Sequence, residues 1–254
     1  MTAFVSLTAA ALLGSDLPLS LPVPGYGRAV FIRGAREEAP LVVALGGSWD
    51  RPEWLCEMLD RAAQKSAHLL CLRGALRPER PADGPRWTPR PPKESAAEIH
   101  RALESVVLVL GHSPSRLLLA GFSRGAGVVA TLARQHPPPG VVAVLLVEGG
   151  HAAAERLVAR RAAGEPPALR VALGCGTRSC SAAARRICDR VDGRSKKRPS
   201  GVQSPAVSPP GPPPSASCRA ETDLAVGHSY NPPWERQAAV LLGWALDPGA
   251  AAPP

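Results

Sequence analysis

The feature that most constrains this chain is a repeated alternation of short apolar runs with longer segments of helical periodicity. The runs are Arg28–Arg33, Leu41–Leu45, Ala67–Leu72, Arg116–Ala120, Val141–Val147, Leu169–Gly174 and Arg219–Val226. Between them, helical patterns cover about 52–65, 94–110, 124–135, 151–163 and 181–190, with a last one near 234–246. Several runs are apolar almost throughout rather than at every second residue, as in strands buried on both faces of a parallel sheet. Strands alternating with helices require crossover connections of one hand, so the expected fold is α/β. Its architecture is a three-layer sandwich, a mostly parallel sheet covered by helices on both faces. In such sheets a ligand sits beyond the carboxyl ends of the strands. That rule directs attention to the loops starting at Gly46, Gly121, Glu148 and Gly174, and to the loop after Val226.

The rest of the chain sets boundaries. Residues 28–248 are expected to form one α/β domain, with a disordered Pro/Ser-rich insertion at 193–217 that cannot bury enough apolar surface to fold. Residues 249–254 are a tail, and 1–27 an N-terminal segment. Within that segment Ala3–Leu13 is like the apolar part of a signal peptide, yet no Lys or Arg precedes Arg28. Localisation therefore stays open between periplasmic or secreted and cytoplasmic. Ser95 followed by Glu98 has capping-box spacing for the helix at 94–110. Gly74–Pro92 reads as a loop over one end of the sheet.

Composition excludes several function classes. With 45% apolar residues the chain has a core, and with 4% aromatic residues that core is Ala, Val and Leu. No run of about 18 apolar residues exists, so no stable membrane insertion is expected. The net charge of +9 invites a nucleic-acid reading, but of the 30 basic residues only four are Lys, and the cations are spread along the chain. The one tight cluster, Arg194, Lys196, Lys197 and Arg198, lies beside the Pro/Ser tract, and no nucleic-acid partner is expected. The six cysteines, at 56, 71, 175, 180, 188 and 218, show no zinc spacing, so neither metal nor cofactor is expected. They are compatible with one to three bridges or with buried thiols. A bridge between two of Cys175, Cys180 and Cys218 would hold the loop after Leu169–Gly174, and Cys56 with Cys71 forms a second candidate pair. Cys180 and Cys188 on one helix would stand about 12 Å apart, beyond disulfide reach.

The sharpest local signal is Gly121-Phe122-Ser123-Arg124-Gly125, directly after one apolar run and directly before a helix. A serine on so tight a turn occupies strained backbone, and small flanking residues make room for it. Its hydroxyl then stands above the sheet at the positive end of a helix. With this motif in this setting, the chain resembles the α/β-hydrolase superfamily over about 28–246, the Pro/Ser insertion excepted.

The resemblance implies a serine hydrolase that cleaves an ester or related acyl bond through an acyl-enzyme, with Ser123 as nucleophile and a small-molecule or acyl substrate. It places the base on the Val226-Gly227-His228-Ser229 stretch, hence His228. The oxyanion hole falls to the backbone amides of Arg124 and Ser48, with Trp49 as the alternate to Ser48. The usual acid position, Gly174–Cys180, holds no carboxylate. A second position known in the superfamily, one strand earlier, holds Glu148, with Asp189, Asp192 and Asp223 as alternatives. Trp49 and Trp87 are candidates to line an acyl pocket, whereas Trp54, Trp234 and Trp244 read as packing residues. The competing reading is a catalytically weak or inactive hydrolase-fold binding protein lacking the triad acid.

Overall fold

The computed structural model describes residues 17–79, 81–162, 169–191, 218–224, 227–228 and 230–247. The signal-like segment, the 193–217 insertion, Asp192 and the tail lie outside the described residues. The chain runs β1 (Leu19–Pro22), β2 (Arg28–Ile32), β3 (Leu41–Leu45), α1 (Pro52–Ala63), β4 (His68–Leu72), β5 (Ala75–Leu76), β6 (Trp87–Thr88) and α2 (Pro92–Leu110). It continues β7 (Leu117–Phe122), α3 (Arg124–Gln135), β8 (Val141–Val147), α4 (His151–Ala162), β9 (Arg170–Cys175), α5 (Arg178–Val191), β10 (Cys218–Thr222) and α6 (Pro232–Leu246). All seven expected runs contribute strands to one eight-stranded sheet of order β1-β2-β4-β3-β7-β8-β9-β10. Every pairing from β4 to β10 is parallel, and β1 and β2 add an antiparallel edge.

The apolar runs are what make this a three-layer fold. In β3 every residue is buried, with Leu41, Val43 and Leu45 in the core under α2–α5 and Val42 and Ala44 in the core under α1 and α6. Trp234 of α6 fills the second core, fully buried and edge-on to Phe122. No helix among the described residues is long and apolar enough to cross a membrane.

Three boundaries differ from expectation. The sheet begins at Leu19, ahead of Arg28; β1 is an edge strand, where its terminal Pro22 removes no needed donor. Its four residues are too short a pattern to read among prolines. The Gly74–Pro92 loop holds a two-stranded ladder of β5 with β6, tied to the β3 loop by a bridge between Asp50 and Trp87. Ser95 and Glu98 do not cap α2, which starts three residues earlier at Pro92, a residue suited to a first turn. Both instead face inward: the Ser95 hydroxyl donates to Arg90 O at 2.9 Å, and Glu98 pairs with Arg90 at 3.3 Å. Glu98 also accepts from the Gly74 amide at 3.1 Å. Burial pushes the Glu98 carboxyl up, against these partners.

The six cysteines stand in three pairs at disulfide distance, Cys56–Cys71, Cys175–Cys180 and Cys188–Cys218, with Cα separations of 5.8, 5.4 and 5.2 Å. The first joins α1 to β4, the second closes the loop after β9, and the third ties α5 to β10. Cross-links of this kind stabilise chiefly by restricting the unfolded chain.

His68, at the start of β4, is buried with both ring nitrogens engaged. Gly34 N–H donates to Nδ1 at 3.0 Å, so the proton sits on Nε2, which donates to Glu37 O at 2.9 Å. Burial, above all, holds this imidazole below its ordinary value of 6.5, so the fold prefers it neutral. Its contribution to stability is present above 6.5 and lost as pH falls through the folded-state value. Urea unfolding of His68→Gln should therefore depend less on pH between about 7 and 5 than the wild type. Equal slopes for the two proteins would show that His68 carries none of the acid sensitivity.

Candidate functional site

The sheet switches direction between β3 and β7: the chain leaves β3 toward β4 and later returns to build outward from β7. Loops on the two sides of such a switch part and leave a crevice at the carboxyl end. Leu45 pairs with Gly121 at this point, so the loops after β3 and β7 leave the sheet side by side. Ser123 lies there between β7 and α3, at φ 52° and ψ −117°, a conformation that side chains rarely adopt. Its amide donates to Val147 O at 2.7 Å. The turn is tight because backbone packs on backbone. A Cβ at Gly121 would lie 2.5 Å from the Gly125 backbone, and one at Gly125 would run into the carbonyls of Leu45 and Gly46.

Three side chains from three strand ends meet at this turn. His228 Nε2 lies 3.1 Å from Ser123 Oγ, and His228 Nδ1 lies 3.4 Å from Glu148 Oε2. Glu148 follows β8 at φ 53°, and its amide donates to Gly174 O at 3.0 Å. Its side chain is only 3% exposed, while that of His228 is 49% exposed. The Glu148 carboxylate is held by the loop after β9: the Gly176 amide and the Thr177 amide (2.9 Å) donate to Oε1, and the Thr177 hydroxyl donates to Oε2 at 2.8 Å. These donors stand just ahead of α5, whose positive end favours an anion. With Nδ1–H directed at an acceptor-only carboxylate, Nε2 is left with its lone pair toward the Ser123 hydroxyl.

The loop Gly46–Asp50 forms the facing wall. The Gly47 amide donates to Asp50 Oδ2 at 2.8 Å, the Trp49 amide reaches Thr88 Oγ1 at 3.5 Å, and the Asp50 amide donates to Trp87 O at 3.0 Å. Ser48 N–H is left without an acceptor among the described residues, as is Arg124 N–H in the first turn of α3. Of the two candidate amides on this loop, that of Trp49 reaches Thr88 Oγ1 and that of Ser48 has no acceptor among the described residues.

A cavity of about 550 Å³ opens over Ser123 and His228, with Trp49, Trp54, Phe122 and Tyr230 among its walls. Trp87 does not line it: its backbone bridges Asp50, and its ring lies under the Arg73 guanidinium at 4.5 Å. Trp54, expected as a packing residue, lines the cavity instead, because α1 turns that face toward the site rather than into the sheet. His151, at the start of α4, is directed at the cysteine pair, with Nε2 3.2 Å from Cys180 Sγ. The His151, Cys175 and Cys180 ligand atoms come within 4.8 Å of one another, but sulfurs joined to each other lack the thiolate charge that a metal requires.

Asp50 and Tyr230 have no counterpart in the sequence reading. The Tyr230 hydroxyl donates to Asp50 Oδ2, a contact between residues 180 positions apart. Burial pushes the Asp50 carboxyl up, opposed by the hydrogen bonds from Tyr230 and from the Gly47 and Arg51 amides. Burial and the neighbouring Asp50 carboxylate push the Tyr230 phenol well above its ordinary value of 10.0. The available signal was an Asp in a Gly-rich loop, which needs donors if buried, and a Tyr two residues after the candidate base. In an alkaline ultraviolet titration, the phenolate step that Tyr230→Phe removes should move to lower pH in Asp50→Asn. An unmoved step would mean that the two groups do not interact.

No protein-family model matches the chain, and no curated protein matches it. Among solved structures it is similar to esterase PE8, at 14% identity over 91% of this chain and 100% of that one, with a TM-score of 0.54. It is also similar to a carboxylesterase from Mesorhizobium loti, at 16% identity over 89% and 98% of the two chains and a TM-score of 0.52. A third likeness is to TT1662 from Thermus thermophilus, at 19% identity, 90% and 97% coverage and a TM-score of 0.50. Identities this low speak to architecture. The mostly parallel eight-stranded sheet with helices on both faces agrees with those likenesses, and the chain has the α/β-hydrolase fold.

Proposed function

We propose that this protein is a serine hydrolase that cleaves carboxylic esters, with Ser123 as nucleophile, His228 as base and Glu148 as the acid that orients it. The observation that carries the reading is the unbroken line of contacts from Ser123 Oγ through His228 to the Glu148 carboxylate, at 3.1 and 3.4 Å. Ser123 Oγ attacks the ester carbonyl while His228 Nε2 takes its proton. The Glu148 carboxylate stabilises the imidazolium that forms. The amides of Arg124 and Ser48 receive the oxyanion. His228 then protonates the departing alcohol, and a water activated by His228 releases the acid from Ser123. Fold likeness to proteins described as esterases agrees with this chemistry without fixing it.

The alternative, a binding protein without an acid, draws on the empty position in the loop after β9. The Glu148 carboxylate within reach of His228 favours the hydrolase, because that loop supplies donors for the carboxylate in place of a carboxylate of its own. The substrate belongs in the cavity bordered by Trp49 and Trp54, and the three cysteine pairs favour an oxidising compartment.

Turnover of a p-nitrophenyl ester tests the reading. Ser123→Ala and His228→Ala should each lower kcat by at least about 10³-fold. Glu148→Gln should lower it by up to about 10⁴-fold with the thermal midpoint little changed. Wild-type rates in Glu148→Gln would remove Glu148 from the mechanism, and wild-type rates in Ser123→Ala would overturn the mechanism as a whole.

A further inference from the structure

Asp50 stands two residues after Ser48, and Tyr230 two residues after His228. Their side chains meet, the phenol donating to Asp50 Oδ2. Neither group touches Ser123 Oγ or the His228 ring nitrogens, so neither has a part in the proton transfers. A carboxylate only 9% exposed is nevertheless costly to bury, and this one is fully engaged. The Gly47 amide shares Oδ2 with the phenol, and the Arg51 amide donates to Oδ1, each at 2.8 Å.

Those bonds give the carboxylate a definite task. Donors at positions 47 and 51 fold the loop around it, with Trp49 carried through φ 62°. The Gly47 amide is occupied, and the Ser48 amide, on the wall of the cavity that Ser123 also lines, has no acceptor among the described residues. The seat for the carboxylate exists because position 46 is glycine; a Cβ there would lie 2.6 Å from Asp50 Oδ2. From behind, Asp50 is clamped by Trp87, with backbone hydrogen bonds of 3.0 Å in both directions. Asp50 is thus a fixed point on the scaffold.

The histidine loop needs such a point. The His228 ring is half-exposed, and its apolar neighbour is Phe122, at 5.0 Å between ring centroids. Tyr230 packs on the same Phe122 ring at 4.5 Å and carries its hydroxyl across to Asp50. One hydrogen bond therefore joins the loop that offers the oxyanion amide to the loop that carries the base.

We infer that the Asp50–Tyr230 pair is a latch that sets the spacing between the Ser48 amide and His228, and that both are positioning residues for hydrolysis at Ser123. The inference rests on the reading of the site as a serine hydrolase. Amide and base act together on the transition state, so loosening the latch affects turnover more than substrate affinity. Misplacement by about 1 Å costs on the order of 10²-fold in rate.

Tyr230→Phe keeps the ring on Phe122 and removes only the donor. Active sites are counted by the stoichiometry of labelling with a fluorophosphonate, and rates are measured with p-nitrophenyl acetate. Per labelled site, kcat should fall about 10- to 100-fold with KM within about twofold. Asp50→Asn should fall at least as far, and the double variant should lie within about threefold of the worse single variant, because the two residues act as one unit. A purely structural role would reduce the number of labelled sites and leave kcat per site unchanged. That outcome, or additive effects in the double variant, overturns the latch while the hydrolase reading stands. A folded wild type that neither labels nor turns over the ester overturns the hydrolase reading, and the latch with it.

Discussion

The closeness of three backbone segments governs the rest of this structure. The turn from β7 into α3 rests directly on the end of β3, and the contact leaves no volume for side chains at Gly121 and Gly125. Close packing of this kind fixes position to fractions of an ångström, as loops joined through flexible side chains do not. It holds Ser123 in its strained conformation and sets it at the point where the sheet changes direction. The loop Gly46–Asp50, the Glu148 carboxylate and the His228 ring are each placed relative to that turn.

The carboxylate arrangement has its own logic. A buried Glu148 requires donors as much as a histidine to orient. The loop after β9 offers two amides and a hydroxyl, and a cysteine pair closes that loop at both ends. The loop Gly174–Cys180 holds no carboxylate of its own and supplies donors to the one at the end of β8.

Sequence alone carried the layers and most of the strand ends, because runs such as Leu41–Leu45 are apolar on both faces and admit few other structures. It also carried the turn at Ser123, while Glu148 came from the resemblance, as one candidate acid beside Asp189, Asp192 and Asp223. What it did not carry has a physical reason in each case. Ser95 and Glu98 have capping-box spacing, but Pro92 opens α2 earlier and turns both residues inward. Trp54 and Trp87 exchange roles because the orientation of α1 and a two-residue ladder set which ring reaches the cavity. The Asp50–Tyr230 hydrogen bond joins positions 180 apart and leaves no periodic trace.

The central claim is that Ser123 is a nucleophile activated by its surroundings. The most direct measurement is mass spectrometry of the folded chain after reaction with a fluorophosphonate, followed by mapping of the modified peptide. The account predicts one adduct per chain, on Ser123, forming far more slowly when His228 is replaced by alanine. An adduct on another residue, or a folded chain that stays unmodified, would contradict it.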